Sequence, residues 1–580
     1  MTTTEALARY DVSLGAHEIG ALLGYSNHQS FAWSWNGTRK GAASWDLPAF
    51  NTYSEMKDLD GNPIEGWALQ SFFGRLNWAF RDKYLAEADF RVDGSSKFGP
   101  KSRYGFFPSA SVGWKIHKED FMAGTRSWLD NLKLRFSLGR VGNCDGIGNY
   151  QWQATYSAEN VVYEGVPTSG FVTTEQSNLT LSWETTRVAN LGLDAGFFKN
   201  RLTAEIDLYD RLTSGILYTP RTYLTMGFLS TVPANRGKLD NRGVELSLNW
   251  KDRIGKDFHY WVGTNFSFNR NRVVSFKGPL VKEWRDGEYY TNFADAVELI
   301  PQDHFYSAQA TTEGGYICEG RTMGEHYLLE LYHGTGEGYT GGEVDINAGP
   351  VDGMIRTESD MLWVQKMLAS GYMFSNNVSA KKDQLWYGDF IYADRDGDKN
   401  YGDDDDREFN GHSAIPTTLL GINLGCSWRG LDLSMTWSGA FGFWILWTNS
   451  WNLPSVGQAS SLALRIMDDH YFYDPDNPAD ERTNLTGNYP RLLYGNARSN
   501  GESSNFYEYK GDYLKLKSAQ LGYTLPEALT RKVWMQQLRI FVSGENLLTL
   551  TSYPGIDPEK GSSISHPLMR QVTVGAQVTF

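Results

Sequence analysis

Apolar side chains recur at every second residue through most of the chain. Phe72, Gly74, Leu76, Trp78 and Phe80 share one parity, with Arg75 and Asn77 on the other. After the polar triplet Arg81-Asp82-Lys83 the pattern resumes, with Tyr84, Ala86, Ala88, Phe90 and Val92 on one side and Glu87, Asp89, Arg91 and Asp93 on the other. A period of two places such rows on opposite faces of a β-strand. The same alternation marks Ala110–Ile116, Leu132–Leu138, Leu191–Phe197, Leu202–Leu208, Val244–Trp250, Tyr260–Phe268, Leu420–Trp428 and Leu431–Trp437. Gly15-Ala16 and Arg429-Gly430, short glycine-bearing connectors between alternating runs, predict hairpins. The last run, Val572, Val574, Ala576, Val578 and Phe580, ends the chain.

The pattern predicts about fifteen strands of about nine to eleven residues, the length a tilted strand needs to cross hydrocarbon. Strands of soluble domains average about 5–6 residues. Connectors alternate between short (81–83, 198–201, 252–257, 429–430) and long (27–70, 141–186, 212–242, 271–380, 441–510), a barrel habit. Aromatic residues such as Trp78, Phe80, Tyr84, Trp250 and Tyr260 cluster at strand ends, where interfacial girdles sit. No convincing amphipathic helix is read. The glycine-rich 271–380 stretch reads as a folded or mobile loop rather than a domain with its own core. The fold class expected is all-β, an antiparallel transmembrane β-barrel of about 14–16 strands with long extracellular loops. The rival is a large soluble all-β protein, a sugar-binding sandwich array or a propeller.

Composition narrows the classes. Aromatic residues make up 14% of the 580, too many for a disordered chain. Cys144, Cys318 and Cys426 fit neither a disulfide scaffold nor a paired metal spacing. The longest apolar run, Ala440–Trp447, is broken by Gly442 and is far short of the ~20 residues of a spanning helix. A net charge of −14 without a basic stripe argues against nucleic acid. Met1-Thr-Thr-Thr-Glu-Ala-Leu7 has no basic segment followed by an apolar one, so either the protein is cytosolic or its start is missing.

Several segments resemble one family, the SusC-like (RagA/SusC) TonB-dependent outer-membrane transporters of Bacteroidetes. They are Phe73-Gly-Arg-Leu-Asn-Trp-Ala-Phe-Arg-Asp-Lys-Tyr-Leu85 running into Arg91–Pro100, Phe106–Trp114, Trp128–Arg135 with Val141-Gly-Asn143, Asn241–Glu245, Leu514-Lys-Leu516 with Leu521–Pro526, and Val542–Thr549 with Tyr553–Pro558. The resemblance covers Tyr10 to Phe580. It implies a barrel of about 22 strands that imports glycans, oligosaccharides or peptides and does no covalent chemistry. It also implies a SusD-like lipoprotein lid, the TonB-ExbB-ExbD machinery acting through a plug, outer-membrane lipid, and barrel-assembly machinery that reads the C-terminal Phe580. A signal peptide, a regulatory-like domain and a plug, parts expected of such proteins, have no counterpart in 1–580. The expectation is therefore a C-terminal barrel fragment with an internal start at Met1. Such a fragment would form an open sheet with two unpaired edges and would not transport alone. An unrelated porin-like barrel shares the strands but not these motifs.

One stretch bears metal chemistry. Asp394 to Glu408 carries eight acids against three bases. Asp394, Asp396 and Asp398 stand at positions 1, 3 and 5 of a tight turn, Asn400 at 7 and Asp405 at 12, an oxygen-ligand spacing suited to Ca²⁺. Position 6 is Lys399 rather than Gly, and no helices flank the loop, so it is not an EF-hand. The other reading is a solvated acidic loop that keeps a strand end out of lipid, and the resemblance implies a structural Asp-rich turn at this place. The histidines are scattered, and His326 and His333 read as polar loop residues rather than a metal pair. Glu87, Asp89, Glu205 and Asp207 fall at regular polar positions of strands and read as cavity lining rather than glycosidase carboxylates. Trp33, Trp35, Trp45, Trp152, Trp284 and Trp451 lie on predicted loops, free to stack on sugars or to pack the loops themselves.

Overall fold

A computed structural model describes all residues except 43–52, 164, 176, 219–232, 277–279, 282–283, 286–287, 290–305, 311–314, 449–451, 457–461, 496 and 567. The chain divides into two compact units, Met1–Asn200 with Ala204–Arg242, and Arg201–Thr203 with Gly243–Phe580. Eight strands of the first unit pair side by side in chain order: β1 (Thr2–Leu14), β2 (His17–Ala42), β3 (Tyr53–Phe80), β4 (Tyr84–Ser95), β5 (Tyr104–Lys115), β6 (Leu129–Asn143), β7 (Glu184–Phe197) and most of β8 (Leu202–Ser214), while Thr155–Tyr163 and Val166–Glu175 form a separate hairpin between β6 and β7. The second holds most of β9 (Lys238–Ile254) and all of β10 (Phe258–Ser275), β11 (Thr418–Trp428), β12 (Leu431–Phe441), β13 (Tyr513–Thr524), β14 (Gln537–Thr551) and β15 (Gln571–Thr579). These fifteen strands are the number the alternation predicts.

Within the first unit the strands pair antiparallel with their neighbours, and the register aligns like with like. Val12, Ile19, Trp78, Ala86, Val112, Phe136 and Leu191 form one cross-strand row. The row of opposite parity beside it reads Asp11, Gly20, Asn77, Glu87, Ser111, Ser137 and Asn190. A one-residue slip anywhere would carry a strand's whole apolar set to the polar face, so the pattern itself holds the register. The apolar row is not covered: Leu76 is 51% exposed and Val112 56%. The second unit repeats this. Tyr523, Leu521 and Ala519 on β13 oppose Leu431, Leu433 and Met435 on one side and Ile540, Val542 and Gly544 on the other. Apolar rows pressed between two sheets, as in a soluble sandwich, are not what the described residues show.

The short connectors fall where the alternation breaks. Arg429 and Gly430 both adopt positive φ, +47° and +90°, the backbone a two-residue hairpin of this twist requires. At Gly430 a Cβ would stand 2.5 Å from the Thr524 carbonyl oxygen. In each unit aromatic side chains gather beside short turns. Phe80 lies 4.7 Å from the His17 ring and 6.4 Å from Tyr84, and Trp250 Nε1 donates to Tyr260 Oη at 3.2 Å.

Two long connectors differ from expectation. The 27–70 segment is not a loop: β2 and β3 continue pairing to Ala42↔Tyr53, leaving only 43–52, which contains Trp45, outside the described residues. The 271–380 stretch does contribute to a core of its own. Helix α1 (Glu358–Ala369) buries Met361, Trp363, Val364 and Met367 against Tyr332, Met354, Ile355, Phe374, Phe390 and Tyr392, and Tyr471 enters from the 442–512 connector. The helix starts at a reciprocal cap, with the Thr357 hydroxyl accepting from Asp360 N and the Asp360 carboxylate accepting from Thr357 N. Trp363 packs flat on Tyr332 at 5.2 Å and donates to the Asp345 carbonyl at 2.7 Å. Gly349, φ +97°, lies where any Cβ would meet the Trp363 ring at 2.7 Å. Glycine at 349 is what lets the backbone approach this indole.

Candidate functional site

The polar faces of the strands carry ion pairs. On the first unit Arg75 reaches Asp89 at 2.6 Å and Glu87 at 3.8 Å, and Arg91 reaches Asp93 at 2.7 Å. Arg135 on β6 bridges Asp194 on β7 at 2.8 Å and Asp207 on β8 at 3.0 Å. The Arg135–Asp207 pair spans Gly192 on the strand between them, where a Cβ would lie 2.6 Å from Arg135 Cζ. On the second unit Arg539 pairs with Asp432 at 2.6 Å across Gly522 in the same way. Glu87, Asp89 and Asp207, read as lining, are thus each opposite an arginine. Arg9, Asp11, Glu18, Asn77, Lys133 and Arg135 border a concavity of about 730 Å³, a wall of both charges suited to water and polar solutes.

The acidic loop is the second candidate. Asp394, Asp396 and Asp398 present carboxylate oxygens within 4.8 Å of one another. Each also accepts a backbone N–H two to five residues on: Asp394 from Gly397 at 2.7 Å and from Lys399, Asp396 from Asp398 at 3.0 Å, and Asp398 from Asn400 at 2.7 Å. Burial and the neighbouring carboxylates push Asp394 up from the ordinary range and Asp396 up to about 6. Asn400 turns its side-chain amide to Asn376 and Asp403. Asp405 is not among the three clustered carboxylates, and its N–H donates to the Asp403 carboxylate, which caps the short 404–406 turn. A residue the sequence did not single out, Asp406, is buried and accepts from the N–H groups of Arg395, Asp396, Gly402 and Asp403, pinning both ends of the loop. Burial raises its carboxyl to about 7. Nothing in the run of four aspartates, 403–406, distinguishes it.

His326 and His333 do not converge: His326 Nδ1 lies 2.6 Å from Glu508, which also meets His412 Nδ1 at 2.6 Å, while His333 Nδ1 faces the Val351 carbonyl at 2.8 Å. Trp33 and Trp35 are exposed on β2, and Trp152 packs beside Phe98, Ile147, Leu181 and Leu217. Trp284 belongs to a short strand, and Trp451 lies outside the described residues. Phe580 is 79% exposed and continues the parity of Val572, Val574 and Val578.

Comparison with known proteins agrees with this geometry. Residues 2–316 match the family model described as TonB dependent receptor-like, beta-barrel. Along its whole length the chain is 29% identical to TonB-dependent receptor P3 of Formosa agariphila, covering 52% of that protein. It is 24% identical to TonB-dependent receptor SusC of Bacteroides thetaiotaomicron, over 97% of the chain and 48% of that receptor. The chain thus spans about half the length of the curated relatives it matches. The solved structure of the RagAB peptide transporter superposes with a TM-score of 0.74 at 22% identity, over 100% of this chain and 55% of that one. With the family model covering more than half of its residues, the chain belongs to the TonB-dependent receptor-like β-barrel family.

Proposed function

We propose that this chain is barrel wall of an outer-membrane TonB-dependent importer of glycans, oligosaccharides or peptides. A SusD-like lipoprotein covers it from outside, and TonB-ExbB-ExbD drives it through a plug. The observation that carries this is the registered pair of rows: apolar side chains exposed on one face, charged and polar ones on the other. In water each exposed Leu, Phe or Val forgoes about 1.5–3 kcal/mol of burial, a loss repeated on every strand. In a bilayer the same row is solvated, and the Arg–Asp pairs of the opposite face line an aqueous path. The wall does no covalent chemistry. Phe580, on the outward parity, serves as the terminal residue read during barrel assembly. The acidic loop holds Ca²⁺ through Asp394, Asp396 and Asp398: three hard oxygen donors crowded within 4.8 Å of one another fit that ion.

Topology tests the membrane reading. In intact cells an impermeant amine reagent should label Lys381 and Lys382 of the folded insertion, and should reach Lys256, in the 255–257 turn, only after the envelope is opened. Equal labelling of all three in intact cells would remove the reading. Uptake of labelled oligosaccharide and of labelled peptide, with and without proton-motive force, then separates the substrate classes. Calorimetric titration of the protein with Ca²⁺, and with the Asp396→Asn variant, tests the loop; identical heats would dismiss the ion.

A further inference from the structure

In the second unit, 255–257 and 429–430 close their hairpins in two or three residues, whereas twelve residues, 525–536, join β13 to β14. They form one short helical step, Glu527–Thr530, followed by a tighter turn, Arg531–Val533. The step is built, not slack. Thr530 is buried with its hydroxyl donating to Glu527 O, Arg531 pairs with Glu527, and Gln536 N donates to Thr579 O on β15 at 2.8 Å. Leu529 and Val533 are each 53% exposed. Trp534 follows in the left-handed region, φ +58° and ψ +25°, and is 90% exposed. That backbone costs an L-residue other than Gly roughly 1–2 kcal/mol, and a fully wetted indole forgoes its burial as well. The wetted indole points toward a medium into which the ring can go, and the built turn holds it there.

The neighbourhood says which medium. Leu521 and Tyr523 on β13 and Ile540 and Val542 on β14 belong to the outward apolar rows, and the step continues those rows at the end where Phe580 lies. Arg531 and Lys532, both exposed, stand beside the apolar trio. Tryptophan with flanking cations is the composition of the bilayer interface, where an indole lies at headgroup level and basic side chains reach phosphate. We propose that 527–534 is an interfacial anchor. Leu529, Val533 and Trp534 enter the boundary between headgroups and acyl chains of the periplasm-facing leaflet, and Arg531 and Lys532 hold phospholipid phosphate. This rests on the outer-membrane reading, and the test separates the two.

A nitroxide is placed at Val533→Cys in a background lacking Cys144, Cys318 and Cys426, and the protein is reconstituted in vesicles of phosphatidylethanolamine and phosphatidylglycerol. Collision with oxygen is compared with collision with a water-soluble nickel chelate. Reference labels are Val542→Cys on the outward row and Lys256→Cys on a short turn. The expected result is an intermediate reading at 533, more lipid-like than 256. Adding Trp534→Ser should raise nickel access at 533 by about threefold or more, while a label at 542 in the same variant keeps its lipid signal and so reports intact folding. A reading at 533 as aqueous as at 256, with 542 in lipid, overturns the anchor and leaves the barrel standing. An aqueous reading at 542 overturns both.

Discussion

Val542 on β14 and Val364 in α1 belong to the same unit, yet the first is 46% exposed and the second fully buried. The contrast runs through the chain. On the outward rows of the strands, residues such as Leu76, Val112 and Val542 face away from the polar rows and are left exposed. In the insertion formed by the two long connectors, the same residue types close around Trp363 and Tyr392. One polypeptide thus solves two solvation problems. The insertion obeys the ordinary rule of burying grease and leaving charge wet. The strands obey it with the bilayer in place of a core. The polar groups divide likewise. Asp389 in the insertion is buried and held by Arg491 at 2.6 and 2.7 Å, by Asn500 and by Trp386 N. The Arg75, Arg135 and Arg539 pairs on the strand faces are partly exposed.

The largest effect expected from breaking this contrast is at that buried pair. Asp389→Ala leaves Arg491 charged and unmatched between the two connectors, a change that costs about 3–5 kcal/mol. The insertion should open, with rapid protease cutting near Lys381 and Lys382, while the strands keep their heat-modifiable migration on gels. Loss of strand structure in the same variant would show that the two regions do not stand on separate footings.

A smaller effect is expected on the wall. Val112→Arg puts a cation on the apolar row, which costs about 2–4 kcal/mol near mid-bilayer. Ser111→Arg, one residue earlier and on the polar row, should stay within about 0.5 kcal/mol. Urea titration of the protein folded into vesicles measures both. Equal penalties at 111 and 112 would mean that the two faces meet the same solvent.

The wall was legible because its signal is repeated and local. Period two, unbroken over strand after strand, needs no knowledge of partners, and the breaks at Arg81–Lys83 and Arg429-Gly430 coincide with turns. What lay beyond the pattern depends on distant partners. The β2–β3 ribbon keeps its alternation at Phe31, Trp33 and Trp35 but then runs through the polar, glycine-bearing stretch Asn36-Gly-Thr-Arg-Lys-Gly41, so its extension to Ala42 read as loop. Helix α1 is twelve residues between glycine-rich segments, and its buried stripe finds its neighbours around Tyr332, Phe390 and Tyr471. The acidic loop was legible as three carboxylates at alternate positions, Asp394, Asp396 and Asp398. Its anchor was not, because four successive aspartates look alike until backbone N–H groups converge on Asp406.

The gentlest test concerns the arginine that spans a glycine. Gly192 leaves space for the Arg135–Asp207 pair to arch across β7, and an alanine Cβ would meet Arg135 Cζ at 2.6 Å and Asp207 Oδ1 at 2.7 Å. Both atoms are far ends of side chains that can swing into water, so the clash is relieved by losing the pair rather than by moving strands. An exposed pair of this kind is worth about 0.2–1 kcal/mol, and replacing Gly by Ala inside a strand returns about 0.5–1 kcal/mol of backbone entropy. Gly192→Ala should therefore be close to neutral. Its signature is in a double-mutant cycle with Arg135→Ala, where the coupling should be about 0.2–1 kcal/mol and should fade in about 1 M salt, as the screening length drops to about 3 Å. A coupling above about 2 kcal/mol that ignores salt would place this pair in a dry environment, and the polar rows would then be packed against something rather than lining an aqueous path.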